Sequence, residues 1–525
     1  MIQEGPFATV SKTWTSITDG VPQWIVVKSA TTLRKFTKEP HDIVKELRLL
    51  SSMTHANIAF VIGSFLDDEQ NMLNIYMPYF AMSLSSLLAS PYLSPHPFPP
   101  LTLHAPNTDT DAATHDEQFN IIARSIMIQT LAALAFLHSE QRRIGHRDIK
   151  PENIMLATDG CVKLIDFGVS WNETELDLEK NHDLWPEYKG KLYFEVSTRF
   201  FGNDTRNRAY RAPELLFGSR NYDHCAIDLW SVGATFAEFF TPLRLVSDDE
   251  DDGDDDDDTD PDAEGEPEHV PLEPFIVPKY LRIGYPGAQW KRNTLFNGER
   301  GEIGLAWSIF KIFGTPTEAN WPDFEELPGA TSVVFNVVPA VPLRPLFPNL
   351  PPSSLSPMLE SFNPNPNLSL SPSPSCSISL SSPDADFASP PPFLTSPLGP
   401  SSASSSSLPP APLSLAPSDL SPSPSPSLLT NQKPPTPLSP IIDLLSRFLT
   451  YPPAARLSAE DAMRHPWFTA PGAVLLLPPG YSLQWNMPLG RSGERERDEK
   501  VERYEWRGRA LEEWLNSVLG GKSLS

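Results

Sequence analysis

The chain has 525 residues, 40% of them hydrophobic, with 58 Pro and only 3 Cys. Its 41 Lys and Arg face 66 Asp and Glu, a net charge of −25, and 15 of the acids fall in Asp248–Glu268, which holds no Lys or Arg. This balance argues against nucleic acid or an anionic membrane as partner, because phosphate binding needs clustered cations.

The opening MIQEGPFATV lacks a basic-then-apolar leader, and no apolar run reads as bilayer-spanning. Residues 1–88 read as short β runs around one helical pattern. IVVK (Ile25–Lys28) is a buried-strand run, and HDIVKELRLLSSM (His41–Met53) carries apolar residues at helical spacing. A Pro-, Ser- and Asp-rich insert is expected at about 89–116, followed by a long apolar helix over Gln118–His138. The block 139–240 mixes short strand runs with a buried helix, AIDLWSVGATFAEFF. A second insert, at about 246–274, covers the acidic tract, which reads as a solvated, self-repelling loop. A folded pattern resumes over 295–330, and a third insert is expected at about 345–438. Residues 351–440 hold 24 Pro, 27 Ser and only 5 charged residues, a composition that buries too little apolar surface to offset its ordering entropy. Its Ser-Pro and Thr-Pro pairs, Ser371 and Thr436 among them, are candidate phosphosites. Folded sequence returns at Pro440–Phe468. Residues 469–525 form an extension in which 490–520 predicts a charged amphipathic helix stopped by Gly520 and Gly521. Cys161, Cys225 and Cys376 are scattered, with no metal-ligand spacing, as in a reduced intracellular chain.

The strongest chemical signal is HRDIKPEN at His146–Asn153, with Asp166-Phe167-Gly168 following 18 residues after Asp148. Moving a phosphoryl group from ATP to a hydroxyl needs each of these residue types. Asp148 is a carboxylate to orient the hydroxyl, and Lys150 a cation to balance charge on the moving group. Asn153 and Asp166 are hard oxygen donors suited to Mg²⁺. Both elements, in this order and at this spacing, make the sequence resemble the eukaryotic protein kinase family.

That resemblance implies an α+β, bilobal protein-kinase fold, with a small β-rich N-lobe, a large helical C-lobe and long disordered inserts. The domain would occupy 1–468. Lys28 would hold the α- and β-phosphates and Glu46, 18 residues on, would pair with it. Val10, Val26 and Met155 would sandwich the adenine, with Met77 as gatekeeper and Pro78-Tyr79-Phe80 as hinge. Ala212-Pro213-Glu214 would close the activation segment, Arg456 would partner Glu214, and Asp228 would brace the catalytic loop. YRAPELLFGSRNYDHCAIDLWSVG and FLTYPPAARLSAEDAMRHPWFTAP look like the cyclin-dependent kinase branch, most similar to cell-cycle-related kinases and the single-subunit activating kinases of fungi. ATP and Mg²⁺ are then the implied cofactors. Protein serines and threonines, those of cyclin-dependent kinases included, are the implied substrates, in nucleus or cytoplasm. The helix EPHDIVKELRLL lacks a PSTAIRE-like string, so cyclin dependence stays open.

The sequence departs from the family in two places. The nucleotide-covering loop, Gln3–Val10, keeps only its middle glycine, Gly5, which loosens the backbone's grip on phosphates. The activation segment, Asp166–Glu214, runs to 49 residues, with GNDTRNRA (Gly202–Ala209) intervening before Tyr210. Alignment through EVSTR puts Tyr193 at the usual activating phosphosite, so Arg147 lacks its expected phosphothreonine partner. Either phosphorylation is not needed or a residue such as Thr205 substitutes. Thr198 would bond Asp148 and Lys150. The competing reading is a pseudokinase scaffold that recruits partners through its acidic and Ser/Pro-rich loops. The complete set Lys28, Glu46, Asp148, Asn153 and Asp166 favours catalysis.

Overall fold

The computed structural model describes residues 3–4, 8–16, 20, 22–37, 40–99, 109–175, 177–186, 208–219, 221–247, 272–351, 438–481 and 502–519. All of them belong to one unit, Met1–Pro357 with Pro437–Ser525; the second unit, Met358–Thr436, lies outside the described residues. The small lobe is an antiparallel sheet of β1 (Gln3–Glu4), β2 (Thr9–Ser16), β3 (Pro22–Thr31), β4 (Gly63–Asp67) and β5 (Met72–Pro78), in the order β1-β2-β3-β5-β4. Between β3 and β4 comes α1 (Ile43–Ser52). It starts where Asp42 Oδ1 accepts the Lys45 N–H at 3.0 Å, satisfying one of the helix's orphan donors. Its Ile43 packs with Leu73 and Ile75 of β5.

The large lobe opens with β6 (Met82–Ser83), α2 (Leu84–Leu88) and α3 (Asp109–His138). The stretch His115–His138 has the length and composition of a membrane-crossing helix, but 78% of its most apolar window is buried inside the protein. Phe119, Ile122, Ile126 and Leu134 make it the spine of the main hydrophobic core. Then follow β7 (Ile144–Gly145), β8 (Ile154–Leu156), β9 (Val162–Leu164), β10 (Trp171–Asn172), α4 (Asp177–Lys180) and α5 (Pro213–Leu216). Helix α6 (His224–Ala237) starts under the cap of Asp223, whose Oδ1 accepts from Cys225 N at 2.8 Å and Ala226 N at 3.2 Å. Gly145 lets β7 pass this helix start: a Cβ there would meet the His224 Cβ at 2.5 Å. Strand β11 (Leu243–Ser247) pairs with β12 (Phe275–Ile276) and β13 (Ala288–Arg292). The lobe continues through α7 (Gly301–Phe313), α8 (Pro440–Phe448), α9 (Ala459–Ala462) and α10 (Pro466–Thr469). A β-rich small lobe on a helical large lobe is therefore the architecture.

Several boundaries differ from the sequence-based expectation. Helix α3 already starts at Asp109 and β11 runs on to Ser247, both inside stretches expected as inserts. Residues 89–99 are packed, not part of an insert. The buried Arg292 guanidinium donates to Leu88 O at 3.2 Å, Leu93 O at 2.8 Å and Thr241 O at 2.9 Å, and Ser94 Oγ donates to Asn349 Oδ1 at 2.9 Å. A buried cation needs such acceptors, and they order a Pro-rich stretch that composition alone reads as loose. Residues 345–351 are likewise packed, through buried Phe347, Asn349 and Leu350. The extension is not one helix over 490–520. Its described part holds β14 (Leu475–Leu476), β15 (Glu502–Arg503), β16 (Glu505–Trp506), β17 (Arg509–Ala510) and α11 (Leu511–Ser517). Trp506, Leu511, Trp514 and Leu515 join the main core, so tertiary burial overrides the helical propensity of the charged run. The remaining parts of the three expected inserts, 100–108, 248–271 and 352–437, and Gly520 and Gly521, lie outside the described residues.

Candidate active site

Two clusters of polar side chains form between the lobes' elements. The first joins β3, α1 and the Asp166-Phe167-Gly168 turn. Strand alternation puts Val26 and Lys28 on one face of β3, and Val10 of β2, paired with Lys28, shares that face. Lys28 Nζ donates to Glu46 Oε1 at 2.8 Å and Oε2 at 2.6 Å, and to Asp166 Oδ1 at 2.8 Å. Asp166 takes a left-handed backbone, φ 66°, a conformation rare for non-glycine residues and held here by its surroundings. The Asp42 N–H donates to Gly168 O at 3.0 Å, tying the start of α1 to this turn.

The second cluster lies in the loop between β7 and β8. Asn153 Nδ2 donates to Asp148 Oδ2 at 2.7 Å and to Asp148 O at 2.8 Å, while Lys150 Nζ sits 3.0 Å from Asp148 Oδ2. This loop is held from below by the wholly buried Asp228 of α6, whose carboxylate accepts the His146 and Arg147 N–H groups, each at 2.7 Å. His138, at the end of α3, lies 2.9 Å from the same carboxylate. His146 donates through Nε2 to Ile165 O at 2.9 Å and packs edge-on to Phe167. The two clusters are thus bolted together.

Their charges are interlocked. Burial favours a neutral Lys28, yet the Asp166 and Glu46 carboxylates prevail and hold its ammonium above the usual lysine value. Burial likewise opposes charge on Asp166, but the Lys28 ammonium holds that carboxyl well below the usual range. Glu46 is pushed up by burial against the pull of Lys28. Burial works against a charged Lys150, and Asp148 beside it raises it regardless. With its amide nitrogen engaged by Asp148, Asn153 presents Oδ1 as its donor atom, and the Asp166 oxygen not bound by Lys28 is a second. Two hard oxygens fit Mg²⁺, which takes one or two protein ligands and completes its shell from phosphates and water.

Farther along the same face, Val26 pairs with Met77, and next to it Ile25 pairs with Pro78, across β3 and β5. Helix α1 covers the Leu73–Ile75 end of this face and leaves Val10, Val26 and Met77 half-buried. Phe80 follows two residues after Pro78, and Met155 of β8 pairs with Lys163 of β9. Gly5 and Thr198, together with Tyr193 and Thr205, lie outside the described residues. Arg456 donates from Nη1 and Nη2 to the two Glu214 oxygens, each at 2.7 Å, and Arg211 Nη1 reaches Glu302 Oε1 at 3.2 Å.

Sequence reasoning passed over several residues here. His138 looks like a packing residue yet bonds Asp228, a partner 90 residues away. His41 lines the cavity shared with Ala8, Lys28, Asp42, Glu46 and Gly168, and burial pushes its imidazole down to about 4. Asp42 had a legible signal as a helix cap, but its bond to Gly168 did not.

Residues 2–266 of the chain, just over half of it, match the family described as protein kinase domain. The chain is also similar to Cyclin-dependent kinase 20 of Danio rerio, 25% identical over 239 residues, which cover 46% of this chain and 48% of that protein. It therefore spans about half the length of the curated relative it matches.

Proposed function

The chain belongs to the protein kinase family, and on that premise we propose that it transfers the γ-phosphoryl of ATP to serine and threonine hydroxyls of proteins, as a member of the cyclin-dependent-kinase-like branch. The observation that carries this reading is the complete Lys28–Glu46–Asp166 linkage beside a catalytic loop in which Lys150 and Asn153 both bond Asp148. Asp148 would accept the hydrogen bond of the incoming hydroxyl and aim its oxygen. Lys150, 3.0 Å away, would balance charge growing on the transferred group. Lys28, fixed by Glu46, would place the α- and β-phosphates, while Val10, Val26, Met77, Pro78, Phe80 and Met155 would hold the base. Asn153 and Asp166 would hold Mg²⁺, which when bound neutralises charge on the phosphates. Positioning and preorganised charge supply most of the rate in such reactions.

The scaffold alternative requires that this machinery be idle. The intact ionic linkage counts against it, since a buried pair kept without use is costly to desolvate. The resemblance to that branch suggests other kinases, cyclin-dependent kinases first, as substrates. The purified single chain, offered an unphosphorylated cyclin-dependent kinase and a generic Ser/Thr-Pro peptide, tests both points. Transfer to the kinase alone supports an activating role, and peptide labelling a broader enzyme. Asp148→Asn should abolish transfer while sparing nucleotide binding; a variant as active as wild type would sink the assignment.

A further inference from the structure

The pairing of Glu46 with Lys28 holds only while α1 stays where it is, so what anchors α1 decides whether the site is assembled. Glu46 faces β3. Arg48, two residues on and therefore about 200° round the helix, projects away from Glu46 and meets the chain that follows Gly168. Its Nε and Nη2 donate to the two Asp183 oxygens at 3.0 and 2.7 Å, and its Nη1 donates to Glu175. Asp183 keeps only 3% of its side chain exposed and Arg48 25%, so this is a shielded, two-pronged pair and not a surface contact.

The same stretch grips the start of the helix. Asp42 caps α1 with Oδ1 and accepts the Trp185 N–H on Oδ2 at 3.0 Å. The Arg34 guanidinium, just ahead of α1, stacks 4.3 Å above the Trp185 ring. Leu184 packs against both the Trp171–Trp185 pair and the Ile43–Leu73–Ile75 cluster. The Lys180 ammonium lies 4.4 Å over Trp171, at the root of the segment.

We infer that Glu175 and Lys180–Trp185 form a built-in strap on α1, and that Arg48, Asp183 and Trp185 are positioning residues which keep Glu46 on Lys28 with no phosphate on the activation segment and no separate subunit on the helix. The inference rests on the phosphoryl-transfer reading above and names the regulation of that same site. An added phosphate orders such segments by presenting fixed negative charge to a cation on a neighbouring element. Here the carboxylates of Asp183 and Glu175 are genetically encoded and already seated on Arg48. The helix is clamped between β3 on one face and the strap on the other.

The test uses the full chain, treated with phosphatase and assayed without any added subunit. Arg48→Asp, Asp183→Arg and the double charge swap are compared with wild type and with Asp148→Asn. Hydrogen exchange over 43–52 supplies a readout that does not depend on turnover. Wild type should transfer phosphate, and each single variant should lose roughly 10- to 100-fold in kcat, with faster exchange in α1. The swap should restore both, which a general packing defect would not allow. Single variants equal to wild type in kcat and exchange overturn the strap, and so does a wild type active only after phosphorylation or addition of a partner; in both cases phosphoryl transfer stands. If no chain transfers phosphate under any condition, while α1 exchange responds to the single variants and recovers in the swap, the enzymatic reading falls and the strap on α1 is supported.

Discussion

At the scale of single residues the decisive fact is that one cation, Lys28, separates two carboxylates, Glu46 and Asp166. Lys28→Met removes it and leaves the buried Glu46 and the half-buried Asp166 facing each other. Phosphate placement is lost, so kcat/KM should fall by about 10²–10³, the effect of deleting one charge-stabilising donor. The stability consequence has a definite sign. Without the ammonium, burial and mutual repulsion lift both folded-state values above their ordinary 4.5 for Glu and 3.8 for Asp. The folded state then binds more protons than the unfolded one, and stability must rise as pH falls from 7 toward 5. In wild type the depressed Asp166 contributes stability that is present above its unfolded value and is lost only as pH falls through its still lower folded one. Glu46 is raised in wild type as well, so the comparison is relative: between pH 7 and pH 5 the variant's melting temperature should gain more than the wild type's, and a variant that gains no more refutes the linkage. These residues were legible in the sequence because the chemistry demands them at fixed spacing. His41 and Arg48 were not, and Asp42 only as a cap, since what makes them matter in the site is a partner more than 100 residues away, such as Gly168 or Asp183.

At the scale of elements, what reads cleanly is what is locally determined. Asp42 and Asp223 announce α1 and α6 as caps, and the apolar spacing behind each gives the buried face. The charged run before α11 misleads for the complementary reason: its helical pattern is real, but Trp506 and Trp514 bury each other's faces, ring centres 5.0 Å apart, and break it into short strands and a short helix. Element packing also makes a prediction in which two effects compete. Gly233 sits inside α6, where alanine would improve helix propensity by up to about 1 kcal/mol. A Cβ there, however, would stand 2.7 Å from the Phe448 Cβ of α8 and 3.1 Å from Leu449 side-chain atoms. Both α6 and α8 are pinned in the core, so the clash cannot be relieved by swinging a flexible tip, and overpacking costs about 1–3 kcal/mol. Crowding wins. Gly233→Ala should lower the urea midpoint with an unchanged m-value, and a higher midpoint would mean that the two helices slide apart at little cost.

At the scale of the whole molecule, the family match ends at residue 266, yet the core does not. One hydrophobic cluster runs from Leu49 to Leu519, and the Arg456–Glu214 bridge closes a separation of 242 residues. The far end of the chain is stitched to the large lobe by main-chain and side-chain bonds alike. The Leu476 N–H donates to Ser125 Oγ at 2.8 Å, Tyr481 Oη bonds Asn57, and Ser90 Oγ donates to Val518 O. Leu511 and Leu515 of α11 pack against the turn at Gly160, whose left-handed backbone, φ 81°, brings the chain under them. If the C-terminal extension were an appendage, Leu515→Ala would leave the domain's unfolding untouched. Because Leu515 is wholly buried in the shared cluster, its truncation should instead cost about 2–5 kcal/mol, transfer loss plus the cavity left behind. The loss should appear as one cooperative transition shifted to lower temperature, by fluorescence and by circular dichroism together. A first transition confined to the Trp506–Trp514 signal, followed by a second at the wild-type temperature, would show that the extension unfolds on its own. In that event the catalytic lobes would owe it nothing, and a chain cut after residue 481 should keep wild-type stability. The contacts of Val518 with Ser90 and of Leu511 and Leu515 with Gly160, all lost in the cut, predict the contrary: the cut chain should melt earlier over its whole length.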